Sequence, residues 1–267
     1  MMLTRVVHAL SLAVGLAMAT SAMAADDAIS KIDSSGKLRV CFAEDNPWTF
    51  KNPTTGKWEG LTKDMAVDLA AAMEVELVDV DASWSTLIQN LQTDKCDIIG
   101  ASLFATPKRA KVVLFSDPFA YETTTAFVHK DSPLKSYAEL DVAGKTVGVK
   151  AGTVPEEFSK RFLTQATTKS YLADSELAIV TDVATKRIDA WWDSTTSTER
   201  FLKENPQYPL RAIGDEPKTP VRVVWAVGSG QYGLQQLINT WLYGYLSSGK
   251  MEANWAKWFG TPYVTVK

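Results

Sequence analysis

The stretch Gly233-Leu-Gln-Gln-Leu-Ile-Asn-Thr-Trp-Leu-Tyr-Gly-Tyr-Leu-Ser-Ser-Gly249 decides how this chain is read. Its apolar residues Leu234, Leu237, Ile238, Trp241, Leu242 and Tyr245 fall three or four apart. That spacing predicts a helix with one apolar face. Ser247, Ser248 and Gly249 stop it, and a short second helix ends in Lys257-Trp-Phe-Gly260. Further toward the N-terminus lie Thr106-Pro-Lys-Arg-Ala-Lys111 and Phe115-Ser-Asp-Pro-Phe119. Any one of these is an ordinary helix or strand end. Their combination, in this order, is far more restrictive.

Strand and helix patterns alternate across the rest of the chain, which predicts parallel sheets with helices packed on them. Strands are expected at Arg39–Phe42, Val75–Val80 and Asp97–Ala101, and helices at Leu61–Met73 and Ser85–Leu91. Thr106 is placed to cap a helix with Pro107 at its first position. The pattern then starts again, with strands at Thr146–Val149 and Ile188–Trp192. Helices are expected at Thr153–Phe162, Ser175–Arg187 and Thr198–Asn205. Two extended segments, Tyr121–His129 and Val221–Val227, flank this second unit.

The helix pair ending in "KWFG", together with "FSDPF" and "TPKRAK", resembles the bilobed extracytoplasmic solute-binding proteins that feed polar amino acids to ABC importers. The resemblance covers nearly the whole chain after residue 24. It implies an α/β fold of the type II periplasmic-binding-protein kind: two lobes, each a mostly parallel sheet flanked by helices, joined by two hinge crossovers. Lobe one would comprise residues 25–121 plus 222–267, and lobe two residues 122–221.

Residues 1–24 read as a signal peptide. Arg5 supplies the positive start, Ala9 to Met18 the apolar run, and Ala22-Met-Ala24 the cleavage site. The run is too short to span a bilayer, and no Cys follows it to carry a lipid. The expectation is a soluble periplasmic protein beginning at Ala25. The chain is slightly acidic, with a formal net charge of −3 and no block of Lys or Arg. Nucleic acid is therefore not an expected partner. Two His residues, one of them inside the signal segment, argue against a His-built metal site or a Ser-His-Asp triad. No metal or cofactor is expected. Nine Trp suggest aromatic surfaces that matter. Cys41 and Cys96 are expected to remain unpaired. If their strands are parallel neighbours, a rise of about 3.3 Å per residue sets the two roughly 10 Å apart.

Arg109 carries the sharpest chemical signal. A guanidinium is a permanently charged planar fork that grips a carboxylate with two hydrogen bonds. The resemblance makes it the anchor of the ligand carboxylate. Val147-Gly-Val-Lys-Ala-Gly-Thr-Val154 would face it from lobe two, with Thr153 and the backbone of Val154 at a helix N-terminus that favours anions. Trp84 occupies the place of a ligand-stacking aromatic, and Ser102 that of a small residue bonding the ligand. The family's pattern is broken at Phe104, where Ser or Thr is usual, and at Asp45, where an aromatic often stands. It is broken again at Ser194, the usual place of the acid that grips the ligand ammonium. Asp193 is one residue early, and strand neighbours face opposite ways, so it would serve only if a bulge or the strand end re-aimed it.

These departures add aromatics (Trp84, Phe104, with Trp48 and Trp192 as further candidates) and acids (Glu44, Asp45) to the far end of the pocket. Aromatic faces beside carboxylates favour an organic cation, and an aromatic ligand group would fit the same surface. The expected function is capture of an amino acid or related small carboxylate, cationic or aromatic at its other end, for a membrane ABC permease by a monomeric protein. Two alternatives come from other classes. One is an enzyme like cyclohexadienyl dehydratase on the same fold, for which Glu44, Asp45 or Asp193 would be the general acid. The other is a ligand-sensing partner of a membrane receptor.

Overall fold

A computed structural model describes residues 28–172, 176–214 and 219–264. The signal-peptide reading and Ser175, the expected start of a helix, lie outside them. The chain opens with α1 (Ala28–Ser35), β1 (Lys37–Phe42), the short hairpin β2 (Phe50–Lys51) and β3 (Trp58–Glu59), and α2 (Leu61–Ala72). Then come β4 (Glu76–Asp81), α3 (Leu87–Gln92), β5 (Ile98–Phe104), α4 (Pro107–Ala110), β6 (Val113–Phe115) and the long β7 (Ala120–His129). The second unit holds α5 (Tyr137–Leu140), β8 (Thr146–Lys150), α6 (Val154–Phe162), β9 (Thr167–Tyr171), α7 (Leu177–Ala184), β10 (Ala190–Ser194), α8 (Thr195–Glu204) and β11 (Leu210–Ala212). The long β12 (Thr219–Gly228) leads to α9 (Tyr232–Ser247) and α10 (Lys250–Phe259).

Hydrogen bonding runs in the order β4-β1-β5-β12-β7-β10-β8-β9. β4, β1 and β5 are parallel, as are β10, β8 and β9. The two groups meet only through β7 and β12. β12 pairs with β7 over Thr219–Val223 and with β5 from Val223 onward. β7 pairs with β12 over Ala120–Thr124 and with β10 from Thr124 to Val128. Each long strand thus begins in one half of the molecule and ends in the other, as the two extended segments predicted. Phe115-Ser-Asp-Pro-Phe119 fastens this junction. Ser116 exchanges hydrogen bonds with the backbone of Trp225, the Phe119 N–H donates to Val223, and the Asp117 N–H donates to Asn239 on α9.

Alternation of side chains across the strands builds a core on each face. In β1, Leu38, Val40 and Phe42 join the cluster of α2, α9 and α10, while Cys41 packs toward α3 with Leu87 and Leu91. The second unit does the same. Trp192 lies with Leu140, Val147 and Val149, and Trp191 with Ile179, Val180 and Val183 on the opposite face. The α9 face is as the periodicity required: Leu234, Ile238, Leu242 and Tyr245 are buried. "KWFG" is a docking device. Lys257 and the indole N–H of Trp258 both reach Asp64 on α2, Phe259 meets Trp48, and Gly260 closes the helix at φ 67°. Positive φ at that place favours glycine.

Cys41 and Cys96 are joined by a disulfide with their Cα atoms 5.7 Å apart, contrary to the expectation of two free thiols. The strand pairing itself is as expected, with Val40 opposite Ile98 and Cys41 opposite Ile99. The error lay in applying strand rise to Cys96, which precedes β5. There the chain arrives from α3, off the sheet plane, and folds over the face onto which Cys41 projects.

Candidate functional site

The site lies where the C-terminal ends of strands from both halves converge, the usual ligand position in open α/β sheets. From the first half come Asp45, in the loop after β1, Trp84 before α3, Ser102 and Phe104 on β5, and Arg109 on α4. Lys150 at the end of β8, Thr153, Val154 and Pro155 at the start of α6, and Asp193 and Ser194 at the end of β10 face them. Together they line a narrow cavity of ≈ 20 Å³. A wider groove past Arg109, Trp84 and Thr153 leads outward to Lys108, Glu156 and Lys160.

Local chemistry explains each placement. The Thr106 hydroxyl accepts the Arg109 N–H, so the cap sets the short helix that carries the guanidinium. That guanidinium donates to the carbonyls of Phe104 and Gly152, both at 2.8 Å, the second across the cleft. Burial pulls its pKa down to about 10, with Glu157 opposing, and it stays charged at neutral pH. Gly152 sits at φ +80°, where a Cβ would come within 2.6 Å of the Ser85 backbone. Only glycine lets the turn before α6 come this close to the Trp84–Ser85 segment. The Thr153 hydroxyl donates to the Lys150 carbonyl, and Val154 is buried in the apolar cluster of the first half.

Lys150, a residue of the quoted lobe-two stretch whose role the sequence reading missed, organises the facing wall. It is 3% exposed and pairs with Glu176 at 3.0 Å and Asp193 at 3.2 Å. Burial alone would lower its pKa, but Asp193, Glu176 and Asp45 outweigh it and hold the ammonium above its ordinary value. The Asp193 carboxylate also accepts the indole N–H of Trp191 and the N–H of Ser194. Burial pushes its pKa up, Lys150 pulling the other way. No bulge re-aims it: β10 pairs regularly with β7 through Ser194. The strand end and Lys150 bring it to the cavity. A lysine amid an apolar strand end was the available signal, since a buried ammonium demands carboxylates nearby.

Asp45 is 5% exposed, held by an exchange of backbone hydrogen bonds with Thr49. One carboxylate oxygen accepts the Ser102 hydroxyl. Burial pushes its pKa up to about 7, opposed by Lys150 and by the hydroxyls of Ser102 and Ser197, and assisted by Asp193. Trp84 packs with Leu87 and Leu91 and donates its indole N–H to the Glu44 carbonyl, so it serves the core and lines the cavity at once.

Three expected pocket residues lie elsewhere. Glu44 turns outward, accepting the Lys51 N–H beside Trp58 and Asp81 on the outer surface. Trp48 is 1% exposed and meets Phe119, Trp255 and Phe259 edge-on. Trp192 packs on Tyr137 and donates to Thr124 inside the second unit. The abundance of Trp mainly serves the first-half core, where Trp225 stacks on Trp241 and Trp255 on Phe259.

Residues 38–261 match the bacterial extracellular solute-binding proteins, family 3. A putative ABC transporter arginine-binding protein 2 of Escherichia coli (strain K12) is 30% identical over 204 residues, covering 75% of this chain and 81% of its own. A mutant of the arginine-binding protein from T. maritima superposes with a TM-score of 0.79 at 29% identity, covering 88% of this chain and 100% of its own. An ancestral amino acid-binding protein, described as a precursor of cyclohexadienyl dehydratase, gives 0.78 at 28% identity, covering 87% and 99%.

Proposed function

Since the chain belongs to the bacterial extracellular solute-binding proteins, family 3, we propose that it closes on one amino acid or related small carboxylate, gripped by Arg109, and presents it to a membrane ABC importer. The fold is the two-lobed type II periplasmic-binding-protein fold, with β7 and β12 as its crossovers. We assign residues 25–121 and 222–267 to one lobe and 122–221 to the other. The protein is monomeric, and its signal peptide is removed after Ala24. Function is then a population shift between open and closed forms, the closed form being the one a transporter recognises.

The observation that carries this reading is the state of Arg109. Its guanidinium lines the cavity with two carbonyls as hydrogen-bond partners and with no carboxylate in ion-pair range among the described residues. A charged fork so placed suits a ligand carboxylate. A thermal-shift screen of the common amino acids should find stabilising ligands. Arg109→Ala should then weaken the best of them by about 2–5 kcal/mol in calorimetry. Unchanged affinity would remove Arg109 from the site. The site's task is binding rather than catalysis. Incubation with prephenate should leave its ultraviolet absorbance unchanged; turnover at a steady rate would favour the dehydratase reading instead.

A further inference from the structure

The cavity contains two buried carboxylates, and they are in opposite condition. Asp193 is fully engaged by Lys150, Trp191 and the Ser194 N–H, and Lys150 is in turn backed by Glu176. Asp45 has the Ser102 hydroxyl on one oxygen and the Ser197 hydroxyl nearby, and its other oxygen, Oδ1, is buried with no partner at hydrogen-bond distance among the described residues. A buried carboxylate oxygen without a partner is costly unless something else fills the role. The cavity therefore offers one cation, Arg109, bonded only to neutral groups, and one anion, Asp45, bonded only to a neutral group. That is the complement of a molecule carrying a carboxylate and a cation.

Resting on the amino-acid-binding reading above, we infer that Asp45, positioned by Ser102, holds the positively charged group of the ligand, and that Asp193 is a scaffold residue committed to Lys150. The assignment departs from position: Asp193 is nearer in sequence to the place where the resembled family keeps its ammonium-binding acid. It follows from which carboxylate has capacity left. The charged groups facing Asp45 are Lys150 from β8 and Asp193 from β10, with the hydroxyls of Ser102 and Ser197 beside it. Lys150 is shared among three carboxylates, so it does not neutralise Asp45 alone.

The arrangement couples binding to protons. Without ligand, burial holds Asp45 protonated up to about pH 7. A cationic group binds the ionised form, so below that pH binding must expel a proton. Affinity should therefore fall as pH falls, approaching about tenfold per pH unit at the steepest.

The test is calorimetric titration with L-arginine as probe, between pH 5.5 and 8, on wild type, Asp45→Asn and Asp193→Asn. The wild type should weaken steadily toward low pH. Asp45→Asn should bind about 30-fold or more weakly at pH 8 and lose the pH slope. Asp193→Asn should keep the slope. The melting temperature of unliganded Asp45→Asn checks its fold and should not fall, since the exchange removes a buried charge. Wild-type affinity with a preserved slope in Asp45→Asn overturns the assignment, as does loss of the slope in Asp193→Asn alone. Failure of the wild type to bind arginine also overturns it, while the amino-acid-binding reading stands if the screen shows another amino acid stabilising the protein.

Discussion

The two walls of the cleft are held together by different physics. The wall made by the first half is braced covalently and by apolar packing. The disulfide ties Cys41, four residues before Asp45, to Cys96, six residues before Ser102, and Trp84 is seated on α3 beside it. Its two charged groups, Asp45 and Arg109, bond only to neutral partners. The wall made by the second half is braced by charge. Lys150 binds the end of β10 through Asp193 and the segment before α7 through Glu176, and little of that charge is left over. A wall that needs its charges for its own shape has few to offer a ligand. A wall stiffened by other means can hold charges in reserve.

Three perturbations break or sharpen this contrast. The largest effect is expected at Lys150. Lys150→Ala strands buried Asp193 and leaves Glu176 without its partner, and should destabilise the protein by about 3–5 kcal/mol. The double change Lys150→Met with Asp193→Asn should recover much of this, because removing both charges removes the mismatch. Chemical denaturation measures both, and a single variant as stable as wild type would mean that charge does not hold the second wall.

The disulfide comes next. With its ends 55 positions apart in sequence, chain entropy credits it with about 4 kcal/mol, somewhat less where the reduced chain retains structure. Reduction, or Cys41→Ala with Cys96→Ala, should lower the melting temperature and weaken ligand binding through the Asp45 loop. Equal melting curves with and without reductant, with both thiols alkylated before unfolding, would show that the first wall does not depend on the bond.

The smallest effect is expected where the walls touch. Gly152→Ala puts a Cβ against the Ser85 backbone at a positive φ, at a cost of about 1–3 kcal/mol. Since that contact joins the two halves, the loss should fall on ligand affinity more than on unfolding. Small-angle scattering of the liganded variant should show a larger radius of gyration than wild type. A loss of stability with affinity untouched would place the contact outside closure.

Much of the first half was legible in the sequence because its signals are local. The α9 face, the Thr106 cap with Pro107, and the alternation of β1 each depend on residues within a few positions of one another. Arg109 was legible for the same reason, through a six-residue motif. Trp48 and Glu44 misled because an aromatic and an acid in a loop carry no local sign of which way they turn. Trp48 is claimed by α10, more than 200 residues onward, and Glu44 by the Lys51 backbone on the outer surface.

The sequence by itself determined the α/β alternation, the two long crossing strands, and an arginine on a capped helix start after β5, since periodicity, caps and turn residues act over one or two turns of chain. Only the tertiary structure decided that Cys41 meets Cys96, that Lys150 takes Asp193 and Glu176, and that Asp45 keeps an oxygen unpaired. Each of these depends on distance and burial between segments remote in sequence. The electrostatic energy of a carboxylate is set by its nearest neighbours in space, and folding chooses them.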